Sequence, residues 1–496
     1  MSSPGIVLAN ARVHGVDGAV DVVVRDGRIA AIGAGAGDAG AGAVQERVDL
    51  GGRHVIPGLW DNHVHMNQWA LSSQRLELGA AASALEVAQA VAERLRDEPG
   101  ARGTFVGYGF RDGLWPDAPS RQLLDAVAPD RPVVLVSGDL HSCWLNSSAL
   151  ALYGHGDSES GLLREEACFA VVRSIDTVDD ETMDAWVSAA AHRAAARGVV
   201  GVVDLEMTWN LDVWHRRMSR GFDALRVEFG VYPQHLQRAI DLGLRSGEVL
   251  GGTGGLLTVG PFKVITDGSL NTRTAYCFDP YPGFDGEGEG VRGLLTVPPD
   301  ELVSLMRAAW HAGLTPAVHA IGDHANRLAL DAFEKIGCRG SIEHAQLLGL
   351  SDLARFAELG VVASVQPEHA MDDRDVAEVY WAGRTDRAFA LRGLVEAGAT
   401  IALGSDAPVA PLDPWTTMAA AVERDRGGRA PWHPEQAIDA RTALAASARG
   451  RSTIAVGEVA DLAVTDRDPL AVNPSSLRET EIAATMLEGR FTYSAL

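Results

Sequence analysis

The sequence predicts an α/β protein: a parallel, TIM-like (β/α)8 barrel, with a small β-domain built from both termini and a long insertion after barrel strand one. Three observations carry this. Eight short apolar, β-branched runs fall near 55–61, 199–206, 226–232, 257–266, 315–321, 340–345, 361–366 and 400–405, each of the kind that forms a buried parallel strand. Segments with helical patterning, such as ELVSLMRAAWHAG and DLARFAELG, lie between them, and that β/α alternation is what a parallel barrel requires. Finally, residue types that bind metals recur at the ends of the runs, where such a barrel keeps its active site.

In chain order, residues 1 to about 56 alternate β-like runs (IVLANARVHG, VDVVVRDGRIAAIG) with glycine-rich turns, and the tail from about 455 has the same texture. Residues 1–56 and 455–496 are therefore expected to pair as one composite β-domain, and 57–454 to form the barrel. The gap between the first run and the run at Val199 far exceeds an ordinary β/α crossover. Residues 68–185 are thus read as an insertion with strands and helices of its own, in TFVGYGF, RPVVLVSGDLHSCWLNSSALALYG and GLLREEA, folded over the barrel mouth.

The first strand end, VIPGLWDNHVHM, places His63 and His65 two residues apart. Side chains two apart share one face of a strand, so both imidazoles can converge on one cation. Lys263 follows in LLTVGPFKVITDG, His319 in TPAVHAIGD, His344 in GSIEHAQ and Asp406 in TIALGSDAPV. Singly, each has an ordinary reading: surface or core histidines, and a turn aspartate before Ala-Pro. Jointly they come from strands one, four, five, six and eight and meet at one mouth, which points to a divalent metal centre. Zinc is the first expectation for so many imidazoles, with iron, nickel and cobalt also suited.

The order His-x-His, Lys, His, His, Asp resembles the amidohydrolase superfamily of metal-dependent hydrolases. The segments KVITDGSLNTRTA, VHAIGDHANRLALDAFE, SIEHAQ, VASVQPEH, LGSDAPVAPLDPW and HSCWLNSSAL resemble its family 3 branch, and GEVADLAVTDRDPL is similar to the stretch that completes the terminal β-domain there. The resemblance implies hydrolysis of a carbon–nitrogen bond other than a peptide bond, an amide, N-formyl or N-acyl linkage in a small molecule, by attack of a metal-bound hydroxide. It also implies one zinc ion on His63, His65 and Asp406, a second on His319 and His344, a carbon-dioxide-derived carbamate on Lys263 between them, and Asp406 as general base. An unmodified lysine is a cation that repels metal ions. One metal with an unmodified Lys263 holding a substrate carboxylate stays open, as do an isomerase or decarboxylase on the same barrel and a non-catalytic binding or scaffold protein.

Beyond the metals, His141, Trp144 and Asn146 of GDLHSCWLN are candidates to reach the mouth from the insertion, His141 to polarise a substrate carbonyl. A loop anchored by its own hydrogen bonds is the competing reading. Arg273 in SLNTRTA either fixes a substrate anion or pairs with an acid, and Gln366, Glu368 and His369 stand near the mouth by topology. His311, His324 and His433 are assigned structural or surface roles.

Composition sharpens the class. A net charge of −23, from 43 basic and 66 acidic residues with no long basic run, opposes binding to nucleic acid or an anionic membrane. The N-terminus lacks a basic segment followed by an apolar core, and no apolar stretch of ~18 residues occurs, so a soluble cytoplasmic enzyme with a small-molecule substrate is expected. The four cysteines are far apart and form no C-x-x-C, which argues for packing roles. A homo-oligomer is the expectation for an enzyme of this size.

Overall fold

The computed structural model describes residues 5–38, 44–97, 103–175, 178–283 and 290–496. Eight parallel strands stand side by side in chain order: Leu59–Val64, Val199–Asp204, Arg226–Val231, Leu257–Ile265, Pro316–Ala320, Gly340–His344, Val361–Val365 and Ile401–Leu403. Their residues are buried almost throughout, as strands covered on both faces must be. Helices such as Pro299–His311 and Asp323–Ile336 pack outside, with Asp300, Glu301 and Asp323 in first turns, where the helix dipole favours acids.

Closure is made where the eighth run returns to the first strand. Val64 and Ala407 form a parallel bridge, the Asp406 amide donates to the His63 carbonyl (2.7 Å), and the His65 amide donates to the Ala407 carbonyl (2.8 Å). Asp61 accepts from the amides of Ser405 (2.8 Å) and His63 (3.2 Å). Only glycine fits at 404, because an added Cβ would lie 2.8 Å from the His63 nitrogen and 3.0 Å from Asp61 Oδ1. The contacts that close the barrel therefore also seat His63, His65 and Asp406.

The run read as 55–61 is divided between two sheets. His54–Pro57 pairs with Arg12–Val13 and antiparallel with Leu462–Thr465, inside a sheet made from both ends of the chain. The barrel strand starts after Gly58, whose added Cβ would sit 2.4 Å from Val200. A Pro-Gly pair lets the chain leave one sheet and enter the other within a residue, and the break is invisible to hydrophobicity because both flanks are buried. The terminal sheet has its own core, including Leu8, Val22, Leu462 and Met486.

Between the first two barrel strands the chain builds a separate five-stranded sheet in the order Leu162–Arg164, Ser142–Leu145, Val133–Ser137, Phe105–Phe110, Leu76–Glu77. Helices Met66–Ser72 and Asp180–Ala195 pack on each other beside the barrel, so both edges of the expected insertion belong to the barrel's outer layer. All four cysteines are buried and unbridged. Among the described residues no helix is long and apolar enough to cross a membrane.

Candidate metal centre and active site

Six sequence-predicted ligands, His63, His65, Lys263, His319, His344 and Asp406, line one cavity of about 730 Å³ at the C-terminal ends of the barrel strands. Asp406 is its hub. Its Oδ1 lies 3.4 Å from His63 Nε2 and 3.3 Å from His65 Nε2, and its Oδ2 lies 4.0 Å from His344 Nδ1 and 3.9 Å from His369 Nε2. Ligand atoms of His63, His344 and Asp406 all fall within 4.8 Å of one another, and the rings of His319 and His344 are 4.4 Å apart.

Two of these residues hold costly backbones. His344 has φ +74° and Asp406 φ +58°, the left-handed region that a side chain normally avoids. Such conformations cost roughly 1–3 kcal/mol each and persist where the surroundings over-determine them; here they turn both side chains off their strand ends toward the cavity.

The electrostatics follow from burial. Desolvation pushes the Lys263 ammonium down to about 8 and holds His319 and His344 well below the ordinary imidazole range. Burial works against ionisation of Asp406 too, yet the charge of His63 and the hydrogen bond from His65 outweigh it and keep the carboxyl far below its usual range. Lys263 Nζ, His65 Nδ1, His319 Nε2 and His344 Nδ1 are buried without a hydrogen-bond partner. Folded proteins rarely leave such atoms idle, and four imidazoles, a carboxylate and an unpaired amine make a donor set that fits divalent cations.

Several participants escaped the sequence reading. Glu343 Oε2 lies 2.7 Å from His63 Nδ1 and fixes that ring's orientation, as a carboxylate behind a ligating imidazole does. Its signal was available: an acid immediately before His344 in a buried strand needs an inward partner. Asp267 accepts from the amides of Tyr276, Ile321 and Gly322 and stands 3.5 Å from His319 Nε2. Burial pushes its carboxyl up to about 7.

The candidates beyond the ligands divide. His141 lines the cavity, its ring 6.4 Å from that of His319, with Nδ1 2.9 Å from Glu165 Oε2. Burial opposes its protonation, but the Glu165 hydrogen bond and charge raise it to about 9. Trp144 is placed elsewhere: it is wholly buried in the insertion's core against Phe110. Asn146 caps helix Ser147–Leu152 through the Ala149 amide and donates to the carbonyls of Ala128 and Arg131, so it anchors its own loop. Arg273 lies over the Tyr380 ring, 5.4 Å from the centroid, and is not among the residues lining the cavity. His369 lines the cavity, whereas Glu368 pairs with Arg426 and Arg478.

A parallel barrel with a histidine–carboxylate cluster at the C-terminal mouth is the arrangement of a metal-dependent hydrolase. The amidohydrolase family model matches residues 46–493, and the chain belongs to that family. It is 30% identical to Protein LONG AFTER FAR-RED 3 of Arabidopsis thaliana, over 94% of this chain and 84% of that protein. It is 27% identical to N-substituted formamide deformylase of Arthrobacter pascens, over 98% of each. A solved structure of an uncharacterized metal-dependent hydrolase from Pyrococcus horikoshii superposes with a TM-score of 0.77 at 26% identity, covering 95% of this chain and 99% of that one.

Proposed function

We propose that this hydrolase cleaves a carbon–nitrogen bond, other than a peptide bond, in a small N-formyl or N-acyl compound. The observation that carries the reading is the position of Asp406, an ionised, buried carboxylate touching two imidazoles at the floor of a cavity large enough for a small organic molecule. His63, His65 and Asp406 would hold one ion, His319 and His344 a second, zinc in each case. A cation bound there supplies a Lewis acid for the scissile carbonyl and makes water more acidic.

The chain's own groups perform the rest. Lys263, with an amine that is neutral far more often than an exposed lysine's, could add carbon dioxide through its nitrogen with release of one proton, and the carbamate, an anion, would then join the residues that hold the cations. Asp406 accepts the proton of the attacking water as the water oxygen bonds to the carbonyl carbon, then delivers it to nitrogen as the carbon–nitrogen bond breaks. His141, held by Glu165, donates a hydrogen bond to the substrate carbonyl. Glu343 keeps the His63 ring aligned throughout. The products are an amine and a carboxylic acid, formate where the substrate is a formamide.

Metal analysis of purified protein, followed by an assay for amine or formate release from N-formyl and N-acyl compounds, tests the reading. Bound metal with hydrolysis supports it. Bound metal without hydrolysis of any compound favours an isomerase or decarboxylase, and absence of metal favours a scaffold.

A further inference from the structure

We infer that the substrate presents a bulky, uncharged apolar group, aryl or branched alkyl, to a lobe of the cavity between the insertion and barrel strands two and three. The inference deepens the proposed hydrolase activity and rests on it for the identity of the cavity as a substrate site.

The lobe takes in Phe169, Val172, Val178, Met207, Trp209 and Val213, apolar residues that line the cavity beside polar ones such as Thr208 and Gln234. Phe169 and Val172 stand three apart on helix Glu166–Ile175, hence on one face. Cys168 and Val171 of the same helix are buried in the insertion's core, against which Val172 also packs in part, while Phe169 and Val172 keep part of their apolar surface open to the cavity. Val213, on helix Asn210–Ser219, repeats the arrangement: it is half-buried at the cavity while its neighbour Trp214 is buried. The lobe is continuous with the chemistry, since Phe169 meets the His141 ring edge-on at 5.7 Å.

Three arginines border the lobe, and each already pairs with an acid. Arg216 is bidentate to Asp184 (2.8 and 3.0 Å) and reaches Asp180 at 2.9 Å. Arg217 donates to Asp184 (2.8 Å) and Asn67 (2.7 Å), and Arg173 pairs with Glu166 at 2.6 Å. Arg217 Nη1 has no hydrogen-bond partner but is buried, beside the Trp214 ring that its guanidinium overlies at 4.7 Å. A substrate carboxylate would have to displace one of these acids or open that packing. An apolar group gains the valine, methionine and aromatic surface of the lobe at no such cost.

The test is calorimetric binding to the metal-loaded protein of three non-hydrolysable probes: N-benzylmethanesulfonamide, N-methylmethanesulfonamide and N-methanesulfonylglycine. The benzyl probe is expected to bind on the order of a hundredfold tighter than the methyl probe, and the glycine probe no tighter than the methyl one. Val172→Asp should shrink the benzyl preference at least tenfold, while Val172→Leu, of similar character, keeps it; thermal unfolding of both variants checks that they fold. A benzyl probe no tighter than the methyl probe, or a glycine probe that binds tightest, overturns the inference. Turnover separates the two readings: benzyl binding without cleavage of any N-benzyl amide sinks the hydrolase assignment and leaves the lobe, whereas cleavage without a benzyl preference does the reverse.

Discussion

The barrel and the insertion line one cavity with different materials. From the barrel come His63, Lys263, His319, His344 and Asp406, all buried, each at or beside a strand end. From the insertion come His141, with Arg111, Asp139 and Arg173 among its other polar residues, and the apolar side chains of Phe169 and Val172. A ladder of strand hydrogen bonds on every side holds a ligand within tenths of an ångström, which the chemistry needs. A helix laid over the mouth can change its side chains without disturbing that ladder, which suits the part of the site that selects a substrate.

This division of labour fails most visibly if a barrel ligand can be removed at small cost. His63→Ala and His344→Ala are each expected to lose at least one metal ion and on the order of 10²-fold or more in turnover. Elemental analysis with steady-state kinetics checks this; full metal and full activity in either variant would remove that residue from the centre. Asp406→Asn keeps size and one oxygen but loses basicity, so kcat should fall on the order of 10²- to 10⁴-fold while most metal and the apparent KM are kept. A variant with intact metal and parental kcat would move the base elsewhere, with His369, 3.9 Å from Asp406 Oδ2, next in line.

Glu343→Gln probes the barrel's half of the cavity more gently. The amide still reaches His63 Nδ1 but carries no charge, so metal affinity should weaken roughly 10- to 100-fold, read by competition with a chelator. Unchanged affinity would mean that Glu343 balances the charge of Lys263 rather than tuning His63.

The contrast also explains what could be read from sequence. Each barrel ligand follows a short buried strand, so topology alone sends it to the mouth, and the amidohydrolase resemblance then orders the set. Where the first barrel strand begins was not legible, because Val55–Pro57 and Leu59–Val64 are equally buried in two different sheets. In the insertion, HSCWLN looks like one functional block, yet only His141 reaches the cavity. It precedes the strand Ser142–Leu145, and the strand itself is committed to the insertion's own core. Phe169 and Val172 could not be told from core residues, since an apolar side chain facing a cavity and one facing a neighbouring helix have the same sequence pattern.

Glu165→Gln addresses His141, the insertion's histidine at the cavity, with a smaller expected effect. In the parent, His141 is raised, so its charged form persists below about pH 9 and is lost as pH rises through that value. The substitution removes the hydrogen bond to a carboxylate and its charge, leaving burial to pull the imidazole down. The alkaline limb of kcat/KM should therefore move to lower pH by about one unit or more, with turnover at neutral pH reduced only a few-fold. An unmoved limb would assign it to another group and leave His141 a wall of the cavity.

The smallest effect on turnover is expected at Asn146, where the division drawn inside HSCWLN can be tested directly. Asn146 bonds only to its own segment: its oxygen takes the amides of Val133 and Ala149, and its nitrogen donates to the carbonyls of Ala128 and Arg131. Asn146→Ala strands buried backbone groups and removes a helix cap, at a cost of about 1–3 kcal/mol, which thermal unfolding would register. None of those partners lines the cavity, so kcat and KM should stay within about twofold of the parent. A fall in kcat without loss of stability would put Asn146 in the reaction and require the strand Ser142–Leu145 to sit differently during turnover.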